Sequence, residues 1–392
     1  MLWIIPGCIL GTITGLSPGI HINTVSAIAL YFSAAQSTEL AIMIVAMTIT
    51  HSFVDFIPSI LLSAPDEETM LSILPGHHFL LKGKAIYAIK LTIAGGLVSA
   101  IAALAMLPLF ALIVFRLGDF FGQIIPWILA LSILLMVFSE KKHKKYAIIT
   151  VAFSAALGLM ALESNAVKDP LFPLAAGFFG ASTIIYSMQK KESIPPQKEK
   201  GFKIKPKTAI KSTALSMIAA MAISFIPSLG PGQATFLLKQ FFGKIPRTQY
   251  LLVMGGISTA GNIFAFMYLF MAQKARTGAA AAIKELAEPN AATIFLVACT
   301  MLISAGIAAT TTDFLSKKAI KQVQRINYQK TNAAIFVLLM ILVFAFSGFF
   351  GLLVFLTAAA TGLIALSSGI KRSACMAFLM VPTILFYLQM AH

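Results

Sequence analysis

Of the 392 residues, 58% are hydrophobic and only 11% are charged, and the mean hydropathy is +0.89. A soluble domain carries about 25% charged residues, so this composition excludes an ordinary soluble protein and predicts a polytopic α-helical membrane protein. The net charge of +16 is spread over short loops between apolar segments, as the positive-inside rule expects, and therefore predicts no nucleic-acid partner.

Residues 1–35 form an apolar stretch broken at Ser17-Pro18-Gly19. Each piece is short for a full span, which suits a hairpin that dips into the bilayer and returns. Such an interruption is tolerated in lipid only where it is buried in protein or lines a cavity. A full span follows at 38–62, carrying His51 and Asp55, and then a polar loop at 63–84 that holds Leu74-Pro75-Gly76-His77-His78. In that loop His77 and His78 read as solvated or capping residues rather than metal ligands. Further spans are expected at 86–115, 120–139, 146–163 and 171–189.

The stretch 190–211 has eight lysines and prolines at 195, 196 and 206 and reads as an exposed linker. The plan then repeats. A second broken hairpin, 208–243, carries Pro227-Ser228-Leu229-Gly230-Pro231-Gly232. Spans follow at 248–271, 290–312, 332–348, 349–368 and 373–390, with an amphipathic connector at 273–289. The expected organisation is a first transmembrane repeat (1–189), a cytoplasmic basic linker (190–207) and a second, inverted repeat (208–392). Each repeat would be a re-entrant hairpin plus about five transmembrane helices. With the linker inside, all Lys and Arg residues except Arg116, Lys168, Lys274, Arg276 and Lys284 fall on the cytoplasmic side. Both termini are then extracytoplasmic.

Paired interruptions in two halves mark a transporter's binding site. Ser17-Pro18 and Gly230-Pro231 each read as a helix start, because serine caps free amides and proline is favoured at the first helical position. Two such N-termini meeting in mid-membrane make an anion site without a basic side chain. Gly19 and Gly232 would let a ligand approach the backbone. His21, Asn23 and Thr24 on one side, and Gln233 and Thr235 on the other, would donate hydrogen bonds to a carboxylate or phosphate. His51 and Asp55 share one helix face and are candidates for coupling transport to Na⁺ or H⁺, with Asn262 as the uncharged counterpart in the second half. No other cofactor is expected. Cys8, Cys299 and Cys375 show no paired spacing and suggest neither a disulfide framework nor a zinc site. The N-terminus has no basic n-region and is not read as a cleaved signal.

The motif Gly11-x3-Gly15-Leu16-x-Pro18-Gly19 is similar to the Gly-rich Pro-Gly motif of the TctA family, the large membrane subunit of tripartite tricarboxylate transporters. Pro58-Ser59-Ile60-Leu61-Leu62, Leu74-Pro75-Gly76-His77 and Lys82-Gly83-x-Ala85 follow the family's order of apolar run, Pro-Gly turn and helix start. The second-half Pro-Ser-Leu-Gly-Pro-Gly, with Phe242-Gly243 and Asn262, extends the likeness. The chain looks most like stand-alone archaeal-type relatives. It departs from the family pattern where Leu74–His77 replaces an Asp-Gly-Tyr-Pro type element. The resemblance implies ion-driven solute transport, with a binding protein and a small subunit in the full tripartite system; neither partner is readable here.

The expectation is thus a secondary transporter of a small di- or tricarboxylate-like anion. The alternative is a translocase of an anionic lipid such as a polyprenyl phosphate. An intramembrane phosphatase using His51-x3-Asp55 is a remote third reading, and the protein is not expected to be an enzyme. Membrane lipid is the surrounding partner. Dimers are common among such folds, although no interface is readable.

Overall fold

The computed structural model describes the chain except residues 1, 18–21, 32–36, 64–72, 139, 141–142, 190–194, 198–200, 226–229, 244, 326–327, 371 and 391–392. The described residues form helices joined by turns and short loops, with no strand among them, and eight of the helices are long and apolar enough to cross a membrane. In chain order the first half holds α1 (Ile4–Leu16), α2 (Ile22–Tyr31), α3 (Thr38–Val54), α4 (Phe56–Leu62), α5 (Ile73–Leu81), α6 (Ala85–Ala105), α7 (Leu107–Phe138), α8 (Lys144–Glu163), α9 (Leu171–Ala175) and α10 (Ser182–Gln189). A π-helical turn, Ala176–Ala181, joins the last two. The second half holds α11 (Pro206–Ser224), α12 (Pro231–Phe242), α13 (Arg247–Ala272), α14 (Gly278–Leu286), α15 (Ala291–Arg325), α16 (Tyr328–Ser367) and α17 (Ala377–Met390). A 3₁₀ turn, Arg372–Met376, leads into α17.

Helices in lipid gain little from the hydrophobic effect when they pair, so their contacts rely on small residues that let backbones approach. The first helix shows this. Gly7 lies on Met43 and Ala46, Gly11 on Met47 and Thr50, and Gly15 on Val54 and Asp55. Both helices advance together, so α1 and α3 run parallel. At about 1.5 Å per residue the 13 residues of α1 reach roughly 20 Å, short of the ~30 Å hydrocarbon layer. A short helix followed by a parallel one means that the chain between them, which includes α2, turns back. The second broken segment has the same parallel pairing, around a longer helix of 19 residues. Ser216 donates to the Val253 carbonyl at 3.1 Å, Ile223 lies against Gly261 and Phe225 against Tyr268, so α11 runs parallel to α13.

Helix α13 is the axis of the protein. Its apolar stretch is wholly buried, whereas most of the apolar stretch of α16 is not. It crosses α6 through two adjacent glycines on each side. A methyl group on Gly95 would strike the Leu252 carbonyl, and one on Gly255 the Thr92 carbonyl. Gly96 faces Thr259 while Ser99 faces Gly256, so α6 and α13 also run parallel. Lys90 near the start of α6 reaches Asp313 in the C-terminal half of α15 at 3.9 Å.

The remaining helices form a second bundle. The rings of Phe178 and Phe378 stack at 5.3 Å. Gly158 lies on the Phe378 carbonyl and Gly362 on that of Phe178, so each aromatic residue presents its carbonyl to a glycine. The run α16 breaks at Gly348, where φ is 73° and ψ is −168°. Its arms fold back on each other, with Phe336 against Phe355 at 5.9 Å, as the expected spans 332–348 and 349–368 require.

Three expectations are corrected. The break expected near 116–119 lies instead at Met106, between α6 and α7, and α7 runs on without a boundary to Phe138. The expected polar loop 63–84 contains α5, because Gly76 packs onto Ile60 and lets the Pro-Gly segment lie flat as a helix. His77 is consequently buried, with its Nε2 3.5 Å from the Ser187 hydroxyl. The linker is not free in its described part. The Gln197 amide donates to the carbonyls of Leu80 and Pro195, both at 2.8 Å, and its oxygen accepts from the Ala85 N–H at 2.9 Å. Phe202 packs on Tyr87 at 5.7 Å, so these residues are fastened to the α5–α6 turn.

Candidate functional site

The C-terminal end of α1 meets the polar turn of α3 that carries Thr50, His51 and Ser52. The Thr14 hydroxyl donates to the Gly11 carbonyl at 3.2 Å and lies 3.0 Å from Nδ1 of His51. Both bonds are made together when Nδ1 carries the proton and donates to Thr14, which leaves Nε2 as the proton-accepting atom. One turn on, Asp55 sits at the α3–α4 junction, 2% exposed, with its N–H donating to the His51 carbonyl at 3.0 Å. Gly15 lies against the Asp55 backbone. The predicted pair therefore shares a face, and that face touches α1 three residues before Ser17. His51 also bonds Thr14 across two helices, which the residue spacing alone did not indicate.

Ser17 closes α1, its N–H donating to the Thr14 carbonyl at 3.2 Å. Pro18, Gly19 and His21 lie outside the described residues, and α2 is described from Ile22. The Asn23 side chain is committed elsewhere than expected. Its Oδ1 accepts from the Ala279 N–H at 3.1 Å, and Gly278 rests against its Cβ. Asn23 thus helps to cap α14, together with Thr277, whose hydroxyl accepts from the Ala280 N–H at 3.1 Å. Thr24 lies on α2 with its side chain outside the description.

The second break behaves as its residues predict. Helix α12 starts at Pro231, and the Gly230 carbonyl accepts the first helical bond from Ala234 at 3.2 Å. Pro231 and Gly232 are buried. The buried Thr235 hydroxyl donates back to the Pro231 carbonyl at 2.7 Å, so it braces the helix start. The side chain of Gln233 is outside the description. Asn262 is 8% exposed and donates to the Ser258 carbonyl at 3.1 Å.

Sequence reasoning missed Arg372, which it counted as a cytoplasmic loop residue. Arg372 is 3% exposed. Its Nη1 donates to Thr183 Oγ1 at 2.6 Å, and its Nη2 reaches the carbonyls of Phe178 and Phe179 at 2.7 and 2.6 Å and Ser182 Oγ at 3.0 Å. A basic residue at a span end looks like a topological anchor; what distinguishes this one is that it meets carbonyls of the π-turn at 176–181, which its own neighbourhood does not reveal.

The chain is 28% identical to an uncharacterized protein of Methanocaldococcus jannaschii, over 99% of both chains. No solved structure matches it. Residues 1–377 match the tripartite tricarboxylate transporter TctA family. This is therefore a multi-pass membrane protein that belongs to the TctA family of transporters.

Proposed function

We propose that the protein is an ion-coupled secondary transporter of a small organic anion of the di- or tricarboxylate class. It works by alternating access between two inverted halves, 1–189 and 208–392, joined by the basic linker 190–207. The observation that carries this reading is the pair of returning hairpins, each followed by a parallel span and each broken at a Pro-Gly segment. Family membership supplies the transport.

Packing supports the inversion. The rod α3–α4 ends beside α5 and the start of α6, so it runs against α6 and hence against α13, its counterpart. The α1–α15 contact answers to α11–α6, and α5–α13 to α14–α3. The reciprocal Gly158–Phe378 and Gly362–Phe178 contacts repeat the pattern in the outer bundle. With the basic loops in the cytoplasm, both termini lie outside.

The anion would bind between the breaks, contacted by Ser17, Pro18, Gly19, His21 and Thr24 from one side and by Gly230, Pro231, Gly232 and Gln233 from the other. Thr235 would hold the second helix start in place, and Asn23 would tie the chain after the first break to α14. His51 and Asp55 would carry the coupling ion beside the first break, with Asn262 at the second. Rocking of one half against the other would expose this site to each face in turn.

Thermal unfolding of purified protein with citrate, succinate or polyprenyl phosphate, each with and without sodium, tests the proposal. At a hundredfold excess over Kd, binding stabilises by roughly 3 kcal/mol. A sodium-dependent shift with a carboxylate, lost in Gly19→Val and Gly232→Val proteins that still unfold cooperatively, is the expected result. A shift with the lipid phosphate alone would replace the cargo. Phosphatase activity abolished by His51→Ala would replace the function.

A further inference from the structure

Arg276 belongs to the short segment between α13 and α14, on the face that carries few basic residues under the proposed orientation. A cation there does not serve the positive-inside bias, so its position needs another reason. Its Nη2 donates to the Tyr268 hydroxyl at 2.9 Å, and its guanidinium lies over the Tyr268 ring at 4.9 Å. Its Nε is buried and makes no hydrogen bond among the described residues.

Two neighbours fix where this cation stands. Tyr268 packs edge-on against Phe225 at 5.5 Å, and Phe225 is the last described residue before the second break. Two residues after Arg276, Gly278 rests on Asn23, in the first turn after the first break. Tyr268, on which the guanidinium lies, thus touches a residue bordering the second break, and the segment that carries Arg276 touches one bordering the first; stacking on tyrosine fixes the plane of the fork in advance.

We propose that Arg276 is a specificity-determining residue that engages a carboxylate of the transported anion from the extracytoplasmic side, between the two helix breaks. This rests on the organic-anion reading above. A guanidinium already held at one nitrogen keeps further N–H donors for a second partner, and a planar carboxylate is the acceptor that matches that fork. The two helix N-termini would supply partial charge and Arg276 a full one. The site would therefore favour a cargo with more than one carboxylate.

Uptake of radiolabelled citrate and succinate into proteoliposomes tests this, using the wild type, Arg276→Gln and Arg276→Lys, each first checked for cooperative unfolding. We expect Arg276→Gln to raise KM for citrate by about 10- to 100-fold, the range for losing a charged hydrogen-bond partner. Vmax should change far less, and the preference for citrate over succinate should fall. Arg276→Lys should recover part of the affinity, because it restores charge without the fork. Wild-type uptake with an unchanged KM in Arg276→Gln would overturn the role of Arg276 and leave the transport reading standing. A wild type that carries neither anion would overturn the carboxylate reading and the role together.

Discussion

Arg372→Met is expected to destabilise the protein by about 3 kcal/mol, seen as a lower unfolding temperature and a smaller yield of folded protein in detergent. The guanidinium serves two backbone carbonyls and two hydroxyls of the π-turn region and lies over the Phe179 ring. Removing a partner from a buried polar group costs about 1–3 kcal/mol per group left wanting. Removing the charge also relieves its own desolvation, which works in the opposite direction. The bonds should prevail, because the outward carbonyls of residues 178 and 179 stay in place when the cation is gone. The internal bonds from Ser182 to Phe178 and from Thr183 to Phe179 satisfy them only in part. Arg372→Lys should be nearly as damaging, since one ammonium on a different stem cannot reach the same set. A methionine variant as stable as the wild type would show that desolvation cancels the bonds.

Gly95→Ala and Gly255→Ala should each cost about 3 kcal/mol or more, at the upper end of what overpacking does in a core. The reason is the identity of what the methyl meets. At both positions it is a carbonyl of the facing helix, and a backbone atom cannot step aside as the end of a side chain does. The helices must separate along the whole crossing of α6 and α13. Gly306→Ala on α15 is the internal control. Nothing lies within 4 Å of the added carbon there, so helix propensity alone acts and should stabilise by roughly 0.5–1 kcal/mol. Melting curves of the three variants decide the point; equal curves would mean that the crossing is not tight.

The sequence made the spans legible because hydrophobic length is a strong signal in lipid, and it located both interruptions. It placed His51 and Asp55 on one face, and that face does meet α1. What it lacked was the identity of partners across helices. Met106 carries no turn chemistry, so the α6–α7 boundary was set ten residues late, near 116–119. Pro75-Gly76 carries turn chemistry yet lies in a helix, because Ile60 offers Gly76 a surface. Arg372 and Arg276 were read as loop charges, since nothing in their own neighbourhoods reveals a π-turn or a tyrosine far away or eight residues back. Asn23 was assigned to a ligand, whereas α14, some 256 positions later, uses its oxygen.

The glycine face of α6 also bears on how the chain is made. Its partner on α13 lies about 160 residues downstream. At ~5–20 residues per second, α6 spends roughly 10–30 seconds in the bilayer before that partner exists. Each helix can wait, because its backbone bonds are satisfied internally and glycine exposes no unmet polar group to lipid. The small residues that allow the closest contact in the finished protein are thus also the ones least harmful during the interval when the contact is missing. Insertion and assembly are separated in time, and the axis of the molecule is closed only by its second half.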